Sequence, residues 1–94
     1  MNEFTVNGNT LNVRITGRLD TLTAPVLEKE LADRLDGINS LVVDCSAMDY
    51  ISSGGLRVLL ALCKKLDSVR VENANDTVRE IFEVTGFDQI VTMG

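Results

Sequence analysis

Two serines and two glycines in a row, Ser52-Ser53-Gly54-Gly55, are the residues of this chain whose type and spacing most invite chemistry. They close a polar loop, Asp44-Cys45-Ser46-Ala47-Met48-Asp49-Tyr50-Ile51, and open the apolar-periodic stretch that begins Leu56-Arg57. A hydroxyl at a helix start faces unpaired amides and a partial positive charge, a setting that favours a phosphate or another anion. Gly54 and Gly55 add no side chains that would obstruct an approaching protein. The plainer reading is that Ser52 or Ser53 only caps the helix, worth about 1 kcal/mol, while the glycines permit a tight turn. Capping needs one hydroxyl, however, and accounts for neither the glycine pair nor Tyr50-Ile51.

Other chemistries find less support. The chain has no histidine, so a serine or cysteine nucleophile lacks its usual base at neutral pH. Asp44 or Asp49 would have to activate Ser53, and a carboxylate is too weak a base for that unaided. Two widely separated cysteines, Cys45 and Cys63, cannot assemble a closed tetrahedral zinc site. Both stand in apolar runs and are expected to be buried free thiols. No cofactor is expected, and no metal. The net charge is −5, and Arg57, Lys64 and Lys65 form the densest basic group, a solvated helix face rather than a phosphate track. Direct binding to nucleic acid is therefore not expected.

These residues need elements to hold them. Phe4–Val6 and Leu11–Ile15 are β-prone runs joined by Asn7-Gly8-Asn9, a hairpin signal because Asn and Gly tolerate positive φ. Gly17-Arg18-Leu19-Asp20 leads to Thr23, which can cap a helix carrying Pro25 in its early turn and running to about Asp36, stopped by Gly37. Leu41-Val42-Val43 is a non-alternating apolar run, the expectation for a central strand covered on both faces. From about Gly54 to Leu66 the spacing of Leu56, Leu59, Leu60, Cys63 and Leu66 predicts a helix with those five inward. Arg57, Ala61, Lys64 and Lys65 fall opposite, with Val58 and Leu62 on a shoulder. Val69–Val71 reads as another strand, Asn75 to about Thr85 as a helix ended by Gly86, and Ile90-Val91 as a terminal strand or extended tail.

With 94 residues this is one domain, 1–94, of the α/β class: a mixed, largely parallel β-sheet packed with about three to four helices. No apolar stretch reaches the length of a membrane span, and the N-terminus lacks the pattern of a secretory signal, so the cytoplasm is the expected location. The acidic, helix-covered design suggests a monomer, although an edge of the N-terminal hairpin could pair.

The stretch YISSGGLRVLL, preceded by VVDCSAMD and accompanied by GRLDTLTAP upstream and VREIFEVTGFDQIV downstream, resembles the STAS domain of bacterial anti-sigma-factor antagonists over essentially the whole chain. That resemblance implies a phosphorylation switch without catalytic residues of its own. The unphosphorylated chain would bind an anti-sigma factor that is also a serine kinase, freeing the sigma factor. Phosphorylation of Ser53 would end the complex, and a PP2C-type phosphatase would reset it. Many members carry an acidic residue immediately before the phosphorylated serine; Ser52 stands there instead, adding a competing hydroxyl. Asp20 is carried over as a kinase contact or, equally, as a carboxylate that accepts amide hydrogen bonds in its turn. Asp44 is assigned mainly to ordering its loop. Ser52, Ser53, Gly54, Gly55, Arg57, Val58, Ala61 and Leu62, with Asp20 and Asp44, make up the expected partner surface. STAS domains also serve as accessory subunits of membrane transport complexes, which is the alternative reading.

Overall fold

A computed structural model describes residues 2–94. The elements run β1 (Glu3–Asn7), β2 (Thr10–Arg14), β3 (Gly17–Leu19), α1 (Ala24–Ala32), β4 (Ser40–Asp44), β5 (Met48–Ile51), α2 (Ser53–Lys65), β6 (Ser68–Glu72), α3 (Asp76–Val84), a 3-10 turn (Phe87–Gln89) and β7 (Thr92–Met93). Five strands form the main sheet in the order β1-β2-β4-β6-β7, with β1 antiparallel to β2 and every other neighbour parallel. Strands β3 and β5 form a separate parallel pair. The mixed, largely parallel sheet and the three α-helices match the expectation, and β4 is the central strand.

Alternation along the strands shows where the core lies. Leu11 and Val13, Leu41 and Val43, and Val69 and Val71 are buried and share rows across the sheet, while their neighbours Asn12, Val42 and Arg70 face away. Buried residues of the helices, among them Leu27, Leu31, Leu59, Val78 and Phe82, complete one core cluster with these strands. Since successive strand side chains point to opposite faces, a single helical layer covers one face only. The expectation that Val42 would be covered on both sides is thus corrected: it is half-buried in an otherwise polar open face. That face carries Thr5, Asn12, Arg70 and Thr92 in the row of Val42, and Glu3, Arg14, Asp44 and Glu72 in the next row.

Several boundaries move for identifiable reasons. The hairpin turn is Gly8-Asn9, the first residue of the expected connection, Asn7, being the last of β1, and Gly8 at φ 65° is the single left-handed residue of the turn. Thr23 does not cap α1 with its side chain. The cap is Asp20, whose Oδ1 accepts the amides of Leu22 (3.0 Å) and Thr23 (3.1 Å) while its carbonyl accepts the Ala24 amide (2.8 Å). Thr23 reciprocates, its Oγ1 accepting the Asp20 amide at 2.8 Å, so one helical turn precedes the regular helix. Pro25 has no amide to offer Thr21, which interrupts the ladder there. The helix ends at Ala32, four residues before the expected Asp36. At the far end Gly86 stops α3 in the left-handed region, at φ 78°. Val91 is buried, and the last strand forms at Thr92–Met93, not at Ile90-Val91.

Candidate functional site

The polar loop before the serines holds a strand. Tyr50 and Ile51 of β5 pair with Arg18 and Leu19 of β3, and the ladder continues as the Ser52 amide donates to the Leu19 carbonyl at 2.8 Å. The Asp20 turn and the Ser52 turn, 32 residues apart in sequence, therefore leave one small sheet side by side. Their contact is intimate, since a Cβ added to Gly54 would lie 3.3 Å from Thr21 Cα. This juxtaposition brings Asp20 to the serine turn, and three- and four-residue strands were too short to announce it by periodicity.

Helix α2 starts without a side-chain cap. Ser52 is the N-cap in extended conformation (φ −102°, ψ 178°), and its carbonyl accepts the Leu56 amide at 3.0 Å. Among the described residues, Ser52 Oγ is the buried side-chain polar atom with no hydrogen-bond partner. Ser53 differs: it occupies the first helical position and is exposed. The two hydroxyls are adjacent in sequence, and only one of them is presented to a visitor. The macrodipole of a 13-residue helix favours negative charge at this end, and Lys64 and Lys65 in the last turn complement the other.

The glycines have different tasks. Gly55 is buried, and a Cβ there would stand 2.8 Å from Leu19 Cγ and Ile51 Cγ1. Its missing side chain lets α2 lie directly on the small β3–β5 sheet, so it is a packing glycine and not part of an open surface. Gly54 is half-buried against Thr21. Two further expected surface positions are corrected as well: Val58 and Leu62 are 7% and 5% exposed. They line a groove with Leu31 and Ala32 of α1 and with Leu35 just after it. A second helix packed on its flank widens the buried stripe of α2 beyond the inward set of the sequence pattern. Leu60, Cys63 and Leu66 are correspondingly only half-buried. Arg57 and Ala61 are exposed as expected.

Beside Ser53 runs a shallow groove that sequence reasoning missed. It is lined by Ser53, Leu56, Arg57 and Leu60 of α2 and by Thr85 and Phe87 after α3. Phe87 is fixed by an edge-on contact with the fully buried Phe82, ring centroids 6.5 Å apart. Leu60, assigned inward by its spacing, is half-buried and lines this groove.

The two acidic candidates are held locally. Asp20 has its carboxyl lowered below the usual carboxylate range by the Thr23 amide first and then the Leu22 amide, with Arg18 Nε 3.7 Å away. Arg18 in turn lies over the Tyr50 ring, 4.8 Å from its centroid. Asp44 is likewise lowered, by the Ser46 amide (2.9 Å) and then by the Asn73 side chain (3.1 Å). Asn73 is held at φ 60°, so Asp44 ties the turn after β4 to the strained loop after β6. Among the described residues Asp44 makes no hydrogen bond to Ser52 or Ser53, and the bonds it does make order its own loop. Nearby, Cys45 is buried and its thiol is pushed up to about 12, mainly by burial and further by Asp44. Cys63 is half-buried rather than fully sealed, with its thiol also raised by burial. Burial thus disfavours the thiolate, the reactive form, at both positions. Among the described residues no helix is long and apolar enough to cross a membrane.

Comparison with known proteins agrees with this geometry. The STAS domain family model matches residues 2–94. BtrV of Bordetella bronchiseptica, provisionally named an anti-sigma factor antagonist, is 41% identical across 78% of this chain and 67% of its own. The crystal structure of an anti-sigma factor antagonist from Mycobacterium paratuberculosis superposes with a TM-score of 0.87 at 28% identity, covering 99% of this chain and 83% of that one. SpoIIAA, a Bacillus cell fate determinant, shares the fold in two forms. The unphosphorylated form gives a TM-score of 0.85 at 16% identity (100% and 88% covered), the phosphorylated form 0.75 at 15% (100% and 91%). A helix opened by two serines, a small sheet that pins Asp20 beside them, and relatives of this kind lead to one conclusion: the chain belongs to the STAS domain family, among the anti-sigma factor antagonists.

Proposed function

We propose that this chain is a phosphorylation-controlled anti-sigma factor antagonist that acts as a binding module and a kinase substrate, without catalysis of its own. Unphosphorylated, it binds an anti-sigma factor serine kinase in the cytoplasm and so frees the sigma factor. Transfer of phosphate to Ser53 ends that complex, and a PP2C-type phosphatase restores it. The observation that carries the reading is the contrast at the start of α2: Ser53 is exposed at the first helical position while Ser52 Oγ is buried. A kinase reaches a hydroxyl it can approach, which selects Ser53 over Ser52.

The physical logic of the switch is local. A phosphoserine carries about −1.5 to −2 charges at pH 7 and three acceptor oxygens. In the free protein the uncapped amides of α2 and its dipole accommodate that charge, so the fold persists. At an interface the same charge stands beside the apolar groove of Leu56, Leu60 and Phe87, next to the turn that carries the ionised Asp20. Desolvating a phosphate between these and a partner is costly, and docking is lost. Arg57, Ala61 and the groove residues form the remaining contact surface.

The test is reconstitution with the cognate kinase and ATP. Phosphate is expected on Ser53, located by fragment mass analysis, and absent from Ser53→Ala, while Ser52→Ala is still modified. Binding of the unmodified chain to the kinase should exceed that of the phosphorylated chain by at least about tenfold, roughly 1.4 kcal/mol. Equal affinity of the two forms, or an unmodified Ser53, refutes the proposal.

A further inference from the structure

Among the described residues the fold leaves four strand edges beyond its paired ladders, and it protects three of them. Strand β7 is only two residues long. The outer edge of β3 is three residues long, and its Arg18 carbonyl accepts the Thr23 hydroxyl at 2.8 Å. The outer edge of β5 is four residues long, and its Met48 carbonyl accepts the Asn75 side-chain amide at 3.1 Å. Strand β1 has no such defence. Its five residues, Glu3-Phe4-Thr5-Val6-Asn7, contain no proline, lysine or bulge, and their register with β2 is unbroken. Short length, lysine, proline and bulges are the usual means by which proteins stop an edge from pairing.

The register shows which groups are free. In a two-residue hairpin the closing pair, here Asn7 and Thr10, exchanges both backbone bonds, and every second pair does so after it. Glu3, Thr5 and Asn7 therefore point their amides and carbonyls at β2, while those of Phe4 and Val6 point outward. Among the described residues no other hydrogen bond reaches them. The side chain of Val6 is also left 59% exposed on the core side of the sheet. Phe4 on the same side is half-buried, with the Arg34 guanidinium 4.1 Å from its ring centroid.

We propose that β1 is a self-pairing edge, and that two copies of this chain associate through it about a two-fold axis at Thr5. The strand reads as its own complement in antiparallel register. Phe4 meets Val6 of the second copy, Thr5 meets Thr5, and Glu3 meets Asn7. Both outward-facing residues of each strand then exchange their amide and carbonyl bonds, giving four hydrogen bonds across the axis. The exposed Val6 gains an aromatic neighbour, and no like charges stand opposite one another. Glu3 is already compensated by Arg14 at 3.2 Å. The two five-stranded sheets become one continuous sheet of ten strands. A second copy fits better than a foreign strand because both pairing partners and both apolar side chains come from the same five residues.

Sedimentation equilibrium between about 10 μM and 1 mM tests this, with the concentration range set by the modest size of a single edge pair. The weight-average mass is expected to rise from the 10.3 kDa of one chain towards twice that value, and to stay at one chain in Val6→Lys. Hydrogen exchange supplies a second reading: the Phe4 and Val6 amides should slow as concentration rises, while Thr5, bonded within the hairpin, should not change. At the axis the Thr5 pair is non-hydrogen-bonded, with an expected Cα separation of about 4.5 Å, within disulfide range. Thr5→Cys should accordingly form an intermolecular disulfide under mild oxidation, and Asn12→Cys on the adjacent strand should not. A mass that stays at one chain up to 1 mM overturns the proposal. So does a dimer that survives Val6→Lys with unaltered Phe4 and Val6 exchange.

Discussion

Replacing Gly55 by alanine separates two explanations of the glycine pair, openness to a partner and closeness to the core. The added methyl would stand 2.8 Å from both Leu19 Cγ and Ile51 Cγ1 and 2.9 Å from Leu19 Cδ2. Leu19 and Ile51 are each 1% exposed, so neither can swing into solvent. Overpacking of this kind costs about 1–3 kcal/mol. Against it stands the helix propensity gained on leaving glycine, at most about 1 kcal/mol and less in a first turn. The net expectation is a loss of about 0.5–2 kcal/mol. At roughly 4–8 °C per kcal/mol for a domain of this size, the melting midpoint should fall by about 2–16 °C. Urea denaturation followed by far-ultraviolet circular dichroism reads the same quantity, with an unchanged slope. Gly54→Ala is the matched control. Its methyl would meet Thr21 Cα at 3.3 Å and Ser52 Oγ at 3.6 Å, a crowding small enough that the propensity gain holds the net change to about 0.5 kcal/mol. A Gly55→Ala protein as stable as the parent, but weakened in partner binding, would refute the packing argument and restore Gly55 to the docking surface.

Two further outcomes follow from the same region. Ser52→Ala should raise stability, by up to about 1 kcal/mol, because it removes a buried hydroxyl that makes no bond, whereas a working cap would lose about 1 kcal/mol in a urea titration. Asp44 has a folded-state pKa below its ordinary value of 3.8, so in acid the unfolded chain binds the proton first. Its contribution is therefore complete above about pH 5 and is lost as pH falls through 3.8 towards the folded value. Asp44→Asn should flatten that acid limb, and stability curves of equal steepness in the two proteins would exclude the role.

The long elements were legible because their patterns are long. Thirteen residues of α2 carry several repeats of the apolar stripe, and β2, β4 and β6 each carry buried residues two apart. Gly86 and Asn75 stop and start α3 as their chemistry suggests, Asn75 Oδ1 accepting the Val78 amide at 2.8 Å. What the sequence hid was tertiary. Periodicity marks one face of α2, but the burial of Val58 and Leu62 depends on where α1 lands. The β3–β5 pair depends on two segments finding each other over some thirty residues, with too few positions in either to show alternation. For the site, the serine turn was readable, and Asp20, named from the sequence, stands on the turn next to it. The preference for Ser53 over Ser52 came from the family resemblance alone, because physically it rests on which hydroxyl the helix start turns inward, and the groove beside Phe87 belongs to a segment far along the chain.

The pairing of β3 with β5 also equips the protein with an optical probe. Tyr50 is its sole tyrosine, there is no tryptophan, and the ring lies on β5 beneath Arg18, three residues before Ser53. Ultraviolet-excited emission from the folded chain thus originates almost wholly at one position beside the serine turn. The proposed phosphorylation of Ser53 is expected to change that emission in the isolated chain, a readout that needs no dye or label.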